Sequence, residues 1–201
     1  MQIAYHQATS PTLGPLIFAF TEKGLCALDL SPAADPTILN QRFPNVTLQT
    51  DLFSPAQHEY VTQILTYLSD PTRTRPDIPL DFTPSHPSPF RLAVWSTLLT
   101  LPAGQTTSYS ALATRLSYQP THARAVATAV GANPIAVVVP CHRVLGGRGE
   151  LSGYRWGVEV KRRLLEMEGV HVSGMGRMEV GEAIKSGSTG LFEKYRCTGT
   201  V

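Results

Sequence analysis

The chain has 201 residues, of which 42% are hydrophobic and 16% charged, with sixteen glycines and sixteen prolines. That composition supports a sizeable core in one domain or two small ones, and it excludes collagen-like and wholly disordered chains. The net charge of +2 conceals a division: residues 1–89 carry four Lys/Arg against eight Asp/Glu, and residues 90–170 carry nine against four. The basic half is expected to meet a polyanion, although a solvated basic face has the same composition.

No apolar run approaches the ~20 residues of a bilayer-spanning helix. The opening Met1-Gln2-Ile3-Ala4-Tyr5-His6 lacks the basic start and apolar stretch of a secretory signal. Cys26, Cys141 and Cys197 are too far apart in sequence to read as a disulfide framework. A reduced intracellular protein is expected, in the cytoplasm of a bacterium or the nucleus of a eukaryote.

Residues 1–30 read as strands. Leu16–Phe20 and Leu25–Leu30 flank Thr21-Glu22-Lys23-Gly24, the pattern of a β-hairpin. A helix is predicted over residues 54–69, with Ser54 as N-cap and Pro55 in the first turn. Its apolar face would be Val61, Ile64, Leu65 and Leu68. Residues 71–89 hold six prolines, which deny a helix or central strand its donors. They predict an extended linker with a domain boundary near residue 85, and a strand at Ile78–Phe82 only if it lies at a sheet edge.

Beyond the linker the period is helical. Ser88-Pro89 repeats the cap-and-proline start, and Phe90, Val94 and Leu98 share a face before Pro102-Ala103-Gly104 stops the helix. Thr107-Ser108 caps a short helix from Tyr109 to Leu116, and Ser117–Pro120 turns the chain. Thr121 would then cap a second helix ending at Val130, with Gly131 as its stop. Two short helices across a four-residue turn have helix-turn-helix spacing. The second carries Ala123, Ala125, Ala127 and Ala129, with Arg124 its one ionic side chain. Such a helix suits tight packing in a core, and equally a close approach to a nucleic-acid groove.

Ile135–Val139 reads as a short buried strand delivering the chain to Pro140-Cys141-His142-Arg143-Val144. A thiolate is a far better nucleophile than a thiol, and an adjacent base generates it. Neighbours in an extended chain point to opposite sides, so Cys141 and His142 cooperate only if the chain turns there or a water bridges them. Residues 145–157 form a glycine-rich, aromatic loop suited to walling a flat pocket. A helix is predicted from Val158 to Glu168, ending at Gly169. Glu168, in the last turn, opposes the helix dipole, which points to a cationic or imidazole partner, with a solvated glutamate as the alternative.

Taken together, residues 88–170 resemble the O6-alkylguanine-DNA alkyltransferases, also called methylated-DNA–protein-cysteine methyltransferases. The motifs are Pro-Cys-His-Arg-Val at 140–144, Ser-Tyr at 108–109, Ala-Arg-Ala-Val at 123–126 and Asn133-Pro134. Gly-Tyr-Arg-Trp-Gly at 153–157 and Lys161, Leu164-Leu165 and Glu168 complete the set, in the family's order and nearly its spacing. The N-terminal half matches only in general plan, and the residues after 170 do not match.

The resemblance implies an α/β (α+β) fold: a small, strand-rich, ribonuclease H-like domain over residues 1–85, then a mostly helical catalytic and DNA-binding domain over 86–170. A flexible tail is expected over 171–201. It implies direct reversal of O6-methylguanine, and of O4-methylthymine, by irreversible transfer of the alkyl group to Cys141, one turnover per molecule and without a cofactor. His142 would take the thiol proton through a water, Glu168 would orient His142, and Asn133 would brace the turn. Tyr109 would donate to the departing guanine.

Arg124 would fill the space vacated by the flipped base, with Tyr109 and Ser110 also contacting DNA. Arg91, Arg143 and Arg148 are weaker phosphate candidates, for each of which a structural role is the alternative. Tyr154, Arg155, Trp156 and Gly157 would wall the pocket. The implied partner is double-stranded DNA bearing O6-alkylguanine, met by a monomer.

Some relatives hold a zinc ion in the N-terminal domain. Here Cys26, His6, His58 and His86 lack compact ligand spacing, so no metal is expected. Two rival functions remain. A non-enzymatic lesion binder would resemble the alkyltransferase-like proteins, which carry tryptophan where this chain has Cys141. A thiol hydrolase would leave Arg124 and the helix-turn-helix without a role.

Overall fold

The structure is a computed structural model describing residues 1–30, 33, 35–50, 53–72, 74–173 and 177–178. Strands β1 (Gln2–Ser10), β2 (Gly14–Thr21) and β3 (Gly24–Asp29) form an antiparallel meander. Helix α1 (Thr37–Arg42) then leads to β4 (Thr47–Gln49), which pairs in parallel with β1, so the sheet order is β3-β2-β1-β4.

Alternation along β2 sorts its side chains to two faces. Leu16, Phe18 and Phe20 join the main core, while Ile17 and Ala19 pack with Ile3, Cys26, Leu39 and Phe43 under α1. Both faces are covered, which is why β2 and β3 read as continuous apolar runs. Cys26 lies in this second cluster, and burial pushes its thiol up to about 12.

Helix α2 (Pro55–Ser69) begins with a full capping box: Ser54 Oγ accepts from the Gln57 amide at 3.2 Å, and the Ser54 amide donates to Gln57 Oε1 at 2.9 Å. Its buried residues are Val61, Ile64, Tyr67 and Leu68. Leu65, predicted for that face, is only half-buried, and Tyr67 takes its place.

The proline-rich segment is docked along the sheet edge. The Leu25 amide donates to Pro79 O at 2.9 Å and the Asp81 amide to Leu25 O at 2.9 Å, an edge pairing with β3 that asks nothing of Pro79's missing N–H. Ile78 and Phe82 are buried there.

Helix α3 (Pro89–Leu98) starts at the Ser88 cap, and β5 (Thr107–Ser108) leads into α4 (Tyr109–Arg115), capped by Ser108. A 3-10 turn at Pro120–His122 precedes α5 (Ala123–Gly131). Thr121 therefore lies inside that turn, and α5 has no side-chain cap. Gly131 is the last helical residue and does not take the left-handed stop expected of it, since the chain continues through Ala132 at φ −82°.

The β6 strand (Val144–Leu145) pairs in parallel with β5, and α6 (Val158–Met167) ends at Gly169 with φ +77°. A short antiparallel pair, β7 (Val172–Ser173) and β8 (Arg177–Met178), comes next. The remainder of the predicted tail, Cys197 included, lies outside the described residues.

Ile135–Val139 is not the strand that its apolar content suggests. Ile135 makes one bridge to Leu28 of β3, and the chain then coils through a turn with Val137 at φ +62°. A β-branched residue in the left-handed region costs ~1–3 kcal/mol and persists only where its surroundings impose it. The main core joins β2, β3 and α2 to α3, α5 and this turn, so one continuous apolar interior crosses the expected boundary near residue 85.

Gly24 sits where the proline-rich segment packs on β3. Its φ is +151°, and a Cβ would lie 2.4 Å from Pro79 O. Gly24→Ala is predicted to lower the urea midpoint by the equivalent of ~2 kcal/mol with an unchanged slope. An unaltered midpoint would show that the linker does not press on β3.

Candidate active site

Asn133 organises the turn that carries the cysteine. Its Nδ2 lies 3.1 Å from Ile135 O, 2.9 Å from Val139 O and 3.1 Å from Cys141 Sγ, and its Oδ1 accepts from the Ile135 amide at 2.9 Å. One buried amide thus satisfies both ends of the 135–139 turn and reaches the sulfur. The chain then enters a 3-10 turn at Cys141–Arg143, which removes the strand geometry that would point Cys141 and His142 apart.

The carboxylate of Glu168 is the electrostatic centre. It accepts from His142 Nε2 at 2.9 Å and from Arg143 Nη2 at 2.7 Å, and Arg143 Nε reaches both its oxygens, Oε1 at 3.2 Å and Oε2 at 3.0 Å. Burial alone would raise its pKa. Hydrogen bonds from His142 and Arg143, together with the guanidinium charge of Arg143, outweigh burial and hold it at about 2. An ionised carboxylate only accepts, so the proton between it and His142 belongs to Nε2.

Burial, the largest influence on His142, lowers its pKa and keeps the ring neutral, despite the opposing pull of Glu168. Nδ1 is then a lone-pair acceptor, and it is buried without a hydrogen-bond partner among the described residues. A neutral imidazole with a lone pair on Nδ1 can act as a base. For Arg143, burial works against the charge, but Glu168 more than offsets it. Arg143 also donates to Tyr67 Oη at 3.0 Å and to Leu101 O, and is 3% exposed. It is therefore a buried brace for Glu168 and not the phosphate contact that its charge suggested.

Cys141 is 5% exposed, and burial raises its pKa despite the opposing effects of Asn133 and the nearby Lys161. At neutral pH it rests as a thiol, and reaction requires a base. Lys161 is itself buried, which lowers its pKa to about 8. Its Nζ donates to Val144 O at 2.7 Å and Ser152 O at 3.2 Å, tying the cysteine turn to the loop beyond it.

A small cavity of about 50 Å³ lies over the sulfur, lined by Tyr109, Asn133, Tyr154, Arg155 and Trp156 together with the C-terminal half of α5. The Tyr109 hydroxyl accepts from Ser152 Oγ at 3.0 Å, and burial raises its pKa. The Tyr154 hydroxyl is buried beside Cys141, close enough to interact with it electrostatically without a well-formed hydrogen bond. Gly157, predicted as part of the wall, does not line the cavity. It turns the chain into α6 with φ +98°.

The remaining predicted residues lie outward. On α5, Val126, Ala129 and Val130 are buried, and Ala129 O accepts from Trp95 Nε1 at 2.8 Å. Arg124, Ala125 and Thr128 are exposed on its other face. The alanine-rich helix therefore presents both a packed side and an open one. Ser110, half-buried in the first turn of α4, lies 3.0 Å from Ser108 Oγ. Arg91 and Arg148 are exposed. Among the described residues, no three His, Cys, Asp or Glu side chains gather where they could hold one metal ion.

Two contributors escaped the sequence reading: Ser152, which positions the Tyr109 hydroxyl, and Asp29, whose Oδ2 accepts from Trp156 Nε1 at 3.0 Å. The first had a faint signal, a serine within the glycine-rich loop. The second had none, because 127 residues separate the pair.

Comparison with known proteins supplies the context. Residues 89–170 match the family model described as 6-O-methylguanine DNA methyltransferase, DNA binding domain. The inducible methylated-DNA–protein-cysteine methyltransferase of Bacillus subtilis is 41% identical over 128 residues, covering 64% of this chain and 68% of that protein. The Escherichia coli bifunctional transcriptional activator/DNA repair enzyme Ada is 39% identical over 161 residues. That match covers 78% of this chain, which spans only 43% of Ada's length. A Mycobacterium tuberculosis OGT solved in complex with DNA superposes with a TM-score of 0.67 at 34% identity, covering 82% of this chain and 92% of that one.

Because the folded-state pKa of Glu168 is depressed, its stabilising effect is complete above about 4.5 and is lost as pH falls towards about 2. Glu168→Gln is predicted to lose ~3 kcal/mol at neutral pH, since Arg143 is left buried without its counter-charge. It should also flatten the acid limb of stability between those pH values. Denaturant titrations across that range check both, and an acid limb equally steep in the variant would place the coupling elsewhere.

Proposed function

Since the chain belongs to the methylated-DNA–protein-cysteine methyltransferases, we propose that it repairs O6-methylguanine, and O4-methylthymine, in double-stranded DNA by transferring the methyl group to Cys141. The observation that carries this reading is the conjunction in one 3-10 turn: a buried, protonated thiol on the floor of a cavity and, at the next residue, a neutral imidazole whose Nδ1 makes no hydrogen bond among the described residues.

Residues 86–170 act as the catalytic and DNA-binding unit, and residues 1–85 support them. The exposed face of α5 lies in the minor groove, and Arg124 enters the duplex as the damaged base leaves it. Extrusion costs a few kcal/mol of stacking and pairing, and the arginine offsets part of this. Tyr109 and Ser110, at the start of α4, contact the flanking backbone. Phosphate contacts supply sequence-independent, salt-sensitive affinity, as suits a protein that reads damage.

With the base in the pocket, His142 Nδ1 takes the Cys141 proton, relayed by a water, and Glu168 stabilises the imidazolium that results. The sulfur attacks the alkyl carbon in line with the guanine oxygen. An S–C bond forms as the C–O bond breaks, and the electron pair returns to the purine, where the Tyr109 hydroxyl donates to the departing base. Guanine is regenerated. Cys141 is left as a thioether with no labile acyl bond, so each molecule acts once. Asn133 holds the sulfur throughout.

A cavity of about 50 Å³ is far below the ~300 Å³ of ordinary ligand sites. The wall must yield for a base to enter, and the bulk of Arg155 and Trp156 limits how much room the alkyl group then finds. The chain works as a monomer, one molecule per lesion, in the compartment that holds the genome: cytoplasm in a bacterium, nucleus in a eukaryote. Among the described residues, no helix is long and apolar enough to cross a membrane.

Incubation with duplex DNA bearing O6-methylguanine should add one methyl group to the intact mass, on the peptide containing Cys141, with no second turnover. Cys141→Ser should retain lesion binding and accept nothing. Binding without a mass change in the wild-type protein would instead mark a lesion binder, and repeated ester or amide cleavage a hydrolase. Free O6-benzylguanine should inactivate Cys141 poorly, and its rapid alkylation by that base would contradict the narrow-pocket reading.

A further inference from the structure

Arg155 and Trp156 line two cavities at once. On one side is the small space over Cys141; on the other is an open cleft of about 750 Å³ between α1, α3 and the end of β3. These two side chains therefore form a partition, and four interactions hold it in place. The Tyr154 ring meets the Trp156 ring with centroids 5.1 Å apart at 63°. The Arg155 guanidinium lies over the indole, 6.0 Å from its centroid, and reaches Gly131 O at the end of α5, with Nη2 at 2.9 Å. The fourth is the Trp156–Asp29 hydrogen bond, and it comes from the N-terminal half.

Asp29 sits at the end of β3 with its side chain fully buried. The oxygen that accepts from the indole also accepts from Arg42 Nη2 of α1 at 2.7 Å. Arg42 continues to Pro134 O at 2.9 Å, next to Asn133. A carboxylate that is buried and ion-paired accepts an indole proton more strongly than a neutral group would. The indole can turn into the cleft only by giving up that bond. A methyl group on guanine asks little of the partition. A larger alkyl group must push it towards the only adjacent space of sufficient size among the described cavities, the cleft.

We propose that Asp29 is a specificity-determining positioning residue: by fixing the Trp156 indole between the pocket and the cleft, it limits the size of the alkyl group that can be delivered to Cys141. This rests on the alkyl-transfer reading and assigns to the N-terminal half a share in choosing the substrate. Asp29 touches neither the base nor the sulfur; it acts through Trp156.

The test compares single-turnover rates on duplexes carrying O6-methylguanine or O6-benzylguanine. The full chain is assayed as wild type, as the double variant Asp29→Leu/Arg42→Met, and as Trp156→Phe. The double variant removes both buried charges together, so neither is left unpaired. Trp156→Phe keeps an aromatic ring and the Asp29–Arg42 pair but deletes the N–H. The benzyl-to-methyl rate ratio is expected to rise about tenfold or more in both variants, the scale of a pocket-size effect.

In the double variant, acrylamide should also quench Trp156 more readily, with Trp95, 1% exposed, as the internal reference. Should circular dichroism show the double variant unfolded, Asp29→Asn, which leaves the Trp156 ring whole and weakens only the acceptor, decides in its place by the same ratio. A ratio within about twofold of wild type, with methyl transfer still proceeding, overturns the inference. Absence of any methyl transfer by the wild-type protein defeats the parent reading, and this inference falls with it.

Discussion

A single buried carboxylate sets the chemistry of the whole site. Glu168 lies at the C-terminal end of α6, where the helix dipole opposes its charge, and it is kept ionised by Arg143 on one side and His142 on the other. Arg143 neutralises it, and that leaves His142 free to remain uncharged. The division of labour matters because an imidazolium could not accept a proton. With the carboxylate as acceptor, the ring takes the Nε2–H tautomer, and the opposite nitrogen is the one that the proposed mechanism uses as base. The raised resting pKa of Cys141 is compatible with the proposed mechanism, in which the proton leaves only when the alkylated base is in place.

The proposed relay depends on a backbone that few sequences would adopt unaided. Val137 in the left-handed region and the tight turn after it are held by Asn133, whose amide spans residues 135 to 141. The strain is set against the fixed position of the sulfur at the base of the cavity, a common exchange at functional sites. Lys161 secures the same turn from α6, so the helix that supplies Glu168 also anchors the segment that Glu168 serves.

Much of this was legible from residue order. The Ser54 and Ser88 caps, the β2–β3 hairpin, the short helices around Ser117 and the need of Glu168 for a cationic or imidazole partner all rest on local rules, and local rules read well from a single sequence. The failures share a physical cause. Ile135–Val139 is apolar and β-branched, so its composition suggests a strand, whereas a side-chain amide two residues upstream imposes a turn. Arg143 looked like a surface cation because nothing local reveals that it would be buried against a carboxylate 25 residues away. Helix α1 is six residues long with no side-chain cap, and β4 is three, too short for periodicity to register. The prolines of the 71–89 segment lack donors, but one edge of β3 takes only the Pro79 carbonyl and the Asp81 amide, neither of which needs a proline N–H. The Asp29–Trp156 contact joins the two halves and could not be foreseen in either.

The tautomer and charge of His142 are the features on which the mechanism turns, and nitrogen-15 NMR of the imidazole measures both directly. At neutral pH the mechanism requires a neutral ring with the proton on Nε2 and a bare Nδ1, persisting below the ordinary histidine pKa. A ring protonated on Nδ1, or an imidazolium at neutral pH, would leave no base positioned for Cys141 and would contradict it.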